Sequence, residues 1–386
     1  MKTLTRTQIY IMAATAGISV ANVYYSQPIL NSIAEYFHIP VEHAGTMSVL
    51  SQIGYGIGLF FLTPIGDMIE RKKLIMYLQG GLIAALILVG FAPNVYILFA
   101  GSLLIGVFAV VAQVILPMAA SLVKENRGKV VGQIFTGLLV GILVARVFSG
   151  FITNLFGWQY VYIISAAMVL ATAVLMQADF PSTPERFSGS YAGLLRSTVA
   201  QLSRFPTLRK AALTGMLAFG VLSAFWVTLT FYLSGEPFHY TASQIGMYGL
   251  LAAAGALIAP VFGKLADKGT PYRSLLFSTA LTLVSILVLK YSPAIWLTVI
   301  LLDIGAQATQ VTNIAIIYSL DHTANSRINT VYMTSYFIGG ALGSFIAIQV
   351  YNYGGWAMST NFMILLSLAA IANVAVMHPK VKTAAI

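Results

Sequence analysis

The chain has 386 residues, 58% hydrophobic and only 8% charged, with a mean hydropathy of +0.85 and a formal net charge of +10. An average soluble domain is about 25% charged, so this composition excludes a string of soluble domains and leaves a polytopic membrane protein. With no cysteine, disulfides, thiolate metal sites and a cysteine nucleophile are excluded as well.

In chain order, apolar runs fall at about 8–33, 43–66, 73–92, 95–122, 130–155 and 157–177. A second set follows at 210–234, 243–265, 272–290, 294–319, 328–351 and 355–377. Each is near the ~20 residues that cross ~30 Å of hydrocarbon as a helix. The expected fold class is therefore an all-α membrane protein with twelve transmembrane helices in two six-helix, pseudo-symmetric bundles. The first run is too long for a signal peptide and continues through Asn22, Tyr24, Tyr25 and Pro28 with no small-residue cleavage site, so a retained helix is expected.

Twelve crossings with a cytoplasmic N-terminus put 19 of the 21 Lys and Arg on the inner side, leaving Arg146 within a span and Lys290 at an outer end. That is the positive-inside bias, and it accounts for the basic balance without nucleic acid. The domains expected are a bundle over 1–178, a cytoplasmic linker over 179–209 and a second bundle over 210–386. In the linker, Tyr191, Leu194, Leu195, Val199 and Leu202 recur at helical spacing. Either a short helix on the inner leaflet or an irregular linker fits that pattern.

The sequence repeats itself. The loop T-P-I-G-D-M-I-E-R-K-K-L, Thr63 to Leu74, returns as G-K-L-A-D-K-G-T-P-Y-R, Gly263 to Arg273. A-Q-V at Ala112 to Val114 returns as T-Q-V at Thr309 to Val311, and F-G-W at Phe156 to Trp158 as G-G-W at Gly354 to Trp356. A repeat of six crossings enters the membrane twice from the same side, so the halves should be related by an axis along the membrane normal, with the substrate site near midplane between them.

On these residues the chain resembles the major facilitator superfamily, in particular its twelve-span bacterial drug:proton antiporters. Of the family loop G-x-L-A-D-R-x-G-R-K-x-L, the first copy keeps Asp67, Arg71, Lys72 and Leu74, with Thr63 and Glu70 where glycines are usual. The second keeps Gly263, Leu265, Ala266 and Asp267. The resemblance implies a conformational latch made of Asp67, Arg71, Lys72, Asp267 and Arg273, which ties the cytoplasmic helix ends together in the outward-facing state, partly by setting a carboxylate near a positive helix end. Two positions depart from the family. Ser102 stands where an arginine is common in the fourth helix, and of the fifth-helix pattern G-x-x-x-G-P-x-x-G-G only Gly137 and Gly141 survive, with Ile142, Ala145 and Arg146 in the remaining places and Gly150 beyond it. Those small residues also suit close helix packing.

No Walker loop, dinucleotide fingerprint or H-E-x-x-H motif is present, so no catalytic residue, metal site or cofactor is expected, and the chain is not read as an enzyme. Ionisable groups inside a membrane are costly and mark function. Two lie deep: Arg146 in the fifth run and Asp303 in the tenth, both ~13 to 18 Å below the outer face at 1.5 Å per residue. They are the candidates for proton coupling, either as a charge pair or across a cavity, against the alternative of a static ion pair. Substrate contacts are expected from Asn22, Tyr25, Gln52, Tyr55 and Gln113 in the first half and from Trp226, Gln307, Gln310, Asn313 and Tyr336 in the second. Some of these would serve only as interhelical hydrogen bonds.

The function expected is proton-coupled efflux of a small amphipathic or zwitterionic compound by alternating access, with an uptake symporter, a lipid flippase or a non-transporting receptor as rivals. The expected partners are the small-molecule substrate, protons and membrane lipids, with no nucleic acid and a monomeric chain. The expected location is the bacterial inner membrane, crossed many times with both termini cytoplasmic.

Overall fold

The computed structural model describes residues 4–123, 127–180, 190–253, 261, 271–292, 294–321 and 324–377; of 127–129 it describes the backbone alone. All regular elements among them are helical. In the first half these are α1 (Arg6–Ala21), α2 (Leu30–Phe37), α3 (Val41–Ala44), α4 (Thr46–Ile57), α5 (Arg71–Gly90), α6 (Val95–Phe108), α7 (Val111–Leu122), α8 (Arg127–Phe156) and α9 (Trp158–Asp179). They are followed by α10 (Tyr191–Arg204), α11 (Pro206–Ser234), α12 (Ala242–Leu251), α13 (Pro271–Tyr291), α14 (Ile295–Tyr318) and α15 (Asn325–Met377).

Nine helices among the described residues are long and apolar enough to cross a membrane. Three features reconcile that number with twelve expected crossings. The first run is not one helix: α1 stops at Ala21, the chain turns, and Gln27–Ile29 forms a 3-10 turn with Pro28 before α2 begins. Of the eighth run, only residues 243–251 are described within α12. The last two runs are joined end to end in α15, which breaks at Gly354 and Gly355 into arms 325–353 and 356–377.

The internal repeat is visible in the packing. Gly137 and Gly141 of α8 sit on the backbone of Ala13 and Gly17 of α1, while Gly339 and Gly343 of α15 sit on Met216 and Gly220 of α11. The partners are 203 residues apart on one side (Ala13 to Met216, Gly17 to Gly220) and 202 on the other (Gly137 to Gly339, Gly141 to Gly343). A Cβ at any of these glycines would strike backbone, so small residues let the helix axes approach. The G-W turns repeat as well. Gly157 has φ of 100° and Gly355 of 62°, a left-handed conformation that glycine adopts without strain, and each reverses the chain at the same end of the bundle.

We call that end distal and the end where α1 begins proximal. The distal rim carries exposed aromatic rings at helix ends: Phe91, Tyr96, Phe156, Tyr160, Tyr291, Trp296 and Tyr353. Such a belt is what a membrane–water boundary selects. The distal end is also where the halves close on each other. Gly150 of α8 meets the Ala242 carbonyl of α12, and Gly246 and Gly249 of α12 pack on Arg146 of α8. On the other seam, Gly45 meets Ile348 and Phe231, Gly56 faces Phe337 and Ile338, and Gln52 Nε2 donates to Ser344 Oγ at 3.4 Å.

The linker contains a regular helix. Ser190 caps α10 by accepting from the Gly193 amide. Its Tyr191 hydroxyl donates to the Phe61 carbonyl at 2.7 Å, and Arg204 at its other end pairs with Asp321 at 2.8 Å, so α10 touches both halves at the proximal end.

Candidate functional site

A cavity of about 780 Å³, its mouth included, lies between the halves on the proximal side of Arg146. It descends α8 from Arg146 through Leu143, Ile142, Leu139 and Leu138 to Phe135, about 16 Å of helix. The opposite wall is Asp303, Gln307 and Gln310 of α14, one per helical turn on a shared face. Aromatic side chains complete it: Tyr24, Tyr55, Phe219, Tyr336 and Phe337. Phe219 stacks on Tyr336 with centroids 4.1 Å apart and 15° between planes, and Tyr55 lies tilted by 33° against Phe337 at 4.2 Å. Small-molecule sites are concave and mostly apolar with a few convergent polar groups, and this lining has that character.

Both deep ionisable residues are buried, Arg146 at 3% exposure and Asp303 at 5%, and both line this cavity. They do not pair directly: among the described residues no ion pair of 4.0 Å or less joins them. Asp303 Oδ2 is buried with no hydrogen-bond partner among the described residues. Arg146 is held elsewhere. Its Nε donates to Gln27 Oε1 at 2.9 Å, and the guanidinium carbon lies 4.0 Å from the centroid of the Trp226 ring and 5.3 Å from that of Tyr24. Gln27 is available because the first run breaks there, and its backbone carbonyl accepts from Thr230 Oγ1 of α11 at 2.7 Å.

Of the residues expected to contact substrate, Tyr55, Gln113, Gln307, Gln310 and Tyr336 line the cavity. Gln113 Nε2 reaches the Tyr55 hydroxyl at 3.5 Å, and Gln310 Nε2 the Met333 sulfur at 3.9 Å. The echoed A-Q-V and T-Q-V tripeptides thus place one glutamine from each half in the same cavity.

Five of the expected contacts lie outside it. Asn22 turns toward α9, where its side-chain oxygen accepts from Ser165 at 2.7 Å, while its amide nitrogen returns to the Ile18 and Ser19 carbonyls. Tyr25 packs on Phe148 of α8, with centroids 5.4 Å apart. Gln52 is taken up by Ser344 on the seam between halves. The face of Trp226 is occupied by Arg146. Asn313 is fully buried one turn below Gln310, and neither amide atom has a partner among the described residues. The shared reason is helix phase: polarity within a span does not say whether the side chain turns to the cavity or to the next helix. The sequence reading missed Phe219, Met333 and Phe337, which carry no polar signal and look like any lipid-facing apolar residue.

The loop cluster is built within the first half. Arg71 pairs with Asp67 at 2.9 Å and donates to the Gly66 and Pro117 carbonyls, tying α5 to α7. Lys72 donates to the Gln177 and Phe180 carbonyls at the carboxyl end of α9, where a cation meets the negative end of the helix dipole. Asp267 lies outside the described residues, and Arg273 is exposed near the start of α13.

A two-fold repeated helical bundle with a polar-and-aromatic cavity at its seam, closed at one end, defines a multi-pass membrane transporter. The comparisons agree. The model of the Major Facilitator Superfamily matches residues 11–344, and this chain belongs to that family; it is a transporter and not an enzyme. It is 36% identical over 354 residues to the uncharacterized transporter YgaY of Escherichia coli O157:H7, covering 90% of each chain. It is 24% identical over 373 residues to a protein of Helicobacter acinonychis named as a probable sugar efflux transporter, covering 92% of this chain and 91% of the other. Among solved structures it superimposes on the human organic anion transporter MFSD10 with a TM-score of 0.73 at 12% identity, over 96% of this chain and all of that one, which bears on the fold alone.

Proposed function

We propose that this protein is a secondary active exporter of the bacterial inner membrane that moves a small amphipathic or zwitterionic organic compound outward in exchange for protons. Both termini are cytoplasmic, the proximal end faces the cytoplasm, and the halves 1–178 and 210–386 rock about the cavity. The observation that carries the reading is Asp303, a carboxylate buried at 5% exposure in a cavity between halves, with one oxygen unpartnered. A group so costly to bury is retained where it gains and loses a charge partner during work. The relative named for sugar efflux supports the outward direction.

In this reading Arg146 binds an anionic group of a zwitterionic cargo or sets the charge state of Asp303. The Asp67, Arg71, Lys72 cluster, with Asp267 and Arg273 in the second copy, forms a proximal latch. The distal closure and the bonding of Arg71 within its own half correspond to the state in which that latch is released.

The test has two steps. A thermal-shift screen of the purified protein against antibiotics, dyes, amino acids and sugars identifies a ligand, since binding to the native state raises apparent stability. Flux of that ligand is then followed in vesicles under an imposed pH gradient. Export reading requires that the gradient drive counterflow and that deleting the protein raise cellular accumulation of the labelled compound. Lower accumulation on deletion assigns uptake instead, and binding with no gradient-dependent flux overturns transport.

A further inference from the structure

Trp226 contributes no surface to the cavity, yet it is 2% exposed and makes the shortest contact of the Arg146 guanidinium with an aromatic ring. The two residues belong to different halves, Arg146 to α8 and Trp226 to α11. Arg146 and Asp303 share one cavity, and a cation and a carboxylate in so poorly polarisable a space attract strongly. Left to that attraction alone, the guanidinium would turn to Asp303 and satisfy the carboxylate. It does not: its Nε is spent on Gln27, its face is on Trp226, and Asp303 Oδ2 stays bare.

We propose that Trp226 is a positioning residue that holds Arg146 off Asp303, leaving the embedded carboxylate open to a proton or to a cationic group of the cargo. The electron-rich indole face supplies what the carboxylate otherwise would, a negative surface for the guanidinium, without carrying a net charge. Beside Arg146, the titratable groups facing Asp303 among the described residues are Tyr24, in the break after α1, and Tyr336 on α15. Neither brings a second cation. The hold is also conditional. Because α8 and α11 lie on opposite sides of the seam, the pair exists only while the distal end is closed, so Asp303 is kept open on the proximal side of the cycle. This assignment rests on Asp303 being the coupling group of the proposed exporter.

The experiment reads the carboxylate directly, independent of flux. Purified protein is treated with dicyclohexylcarbodiimide, which modifies protonated carboxyl groups in apolar surroundings, and the yield at the peptide containing Asp303 is measured by mass spectrometry. Trp226→Leu, which fills much of the space without a π face, is expected to lower the yield at least fivefold, while Trp226→Phe, which keeps the face, stays within twofold of the parent. Trp226→Leu combined with Arg146→Gln, which removes the cation, is expected to recover the yield. Trp226→Leu with parental labelling overturns the proposal, and so does a double variant that fails to recover. A thermal unfolding curve on each variant separates misfolding from repositioning: if Trp226→Leu does not fold, Trp226→Met replaces it. Should Asp303→Asn leave gradient-driven flux unchanged while the other variants keep their labelling pattern, the coupling role of Asp303 fails and the positioning of Arg146 stands.

Discussion

Asp303 and Arg146 face one cavity from opposite halves of the protein without an ion pair of 4.0 Å or less between them. A carboxylate in that position can change partners, which a locked pair cannot. Asp303→Asn keeps the shape and removes the titratable charge, so it is expected to abolish accumulation driven by a pH gradient while ligand-induced thermal stabilisation persists. Flux assays with and without the gradient check this, and equal gradient dependence in variant and parent contradicts it.

Glycines at the two kinds of seam should fail in different ways. Gly141 packs on Gly17 within the first half, whereas Gly246 packs on Arg146 across the seam. Gly141→Leu overpacks a fixed interface and is expected to cost about 1–3 kcal/mol or more of stability, seen as a lower unfolding temperature and poor yield. Gly246→Leu is expected to fold with little loss and to disfavour distal closure. Raised reactivity of cysteines introduced at the distal rim, near Gly150 or Ala242, is the measurement.

Phe219 stacks on Tyr336 within the second half, and Tyr55 of the first half lies against Phe337 of the second. Phe337→Ala removes an apolar wall with no polar atom to reorient. It is expected to weaken binding of a ligand found by thermal shift about tenfold, near the 0.5–1.5 kcal/mol that an aromatic contact contributes beyond its area. Isothermal titration gives the number, and unchanged affinity would remove Phe337 from the site.

Lys72 reaches the last carbonyls of α9 through a flexible ammonium. Lys72→Met keeps the stem and loses the charge, with an expected cost of about 0.3–1 kcal/mol from the helix terminus. Amide exchange should accelerate over the last turn of α9 and not elsewhere.

How much of this was legible in the sequence differs by level. Hydropathy located the spans and the repeat located the halves, because lipid forces every span to satisfy its own backbone and so to be a long apolar helix. The glycine turns at Gly157 and Gly355 were visible as echoed G-W pairs. Asp303 and Arg146 stood out because a charge inside the membrane is costly to keep. Asn22 and Gln52 were placed in the cavity on polarity alone, and helix phase turned them to Ser165 and Ser344 instead. Phe337 could not be singled out, because a ring that faces cargo and one that faces lipid have the same composition. The first run was read as one helix through Pro28, so neither the break after Ala21 nor its consequence, the release of Gln27 to Arg146, was legible.

Gln27 is bonded twice, through its side chain to Arg146 and through its backbone to Thr230. Parting the halves at this level breaks the bond to Thr230, while the bond to Arg146 stays within the first half. A neutral hydrogen bond such as that to Thr230 contributes about 0.5–1.5 kcal/mol. One elementary charge moving through 100 mV releases about 2.3 kcal/mol. In the proposed exporter, the bond across the broken helix is thus smaller than the work one proton delivers, so a single turnover of the gradient undoes it.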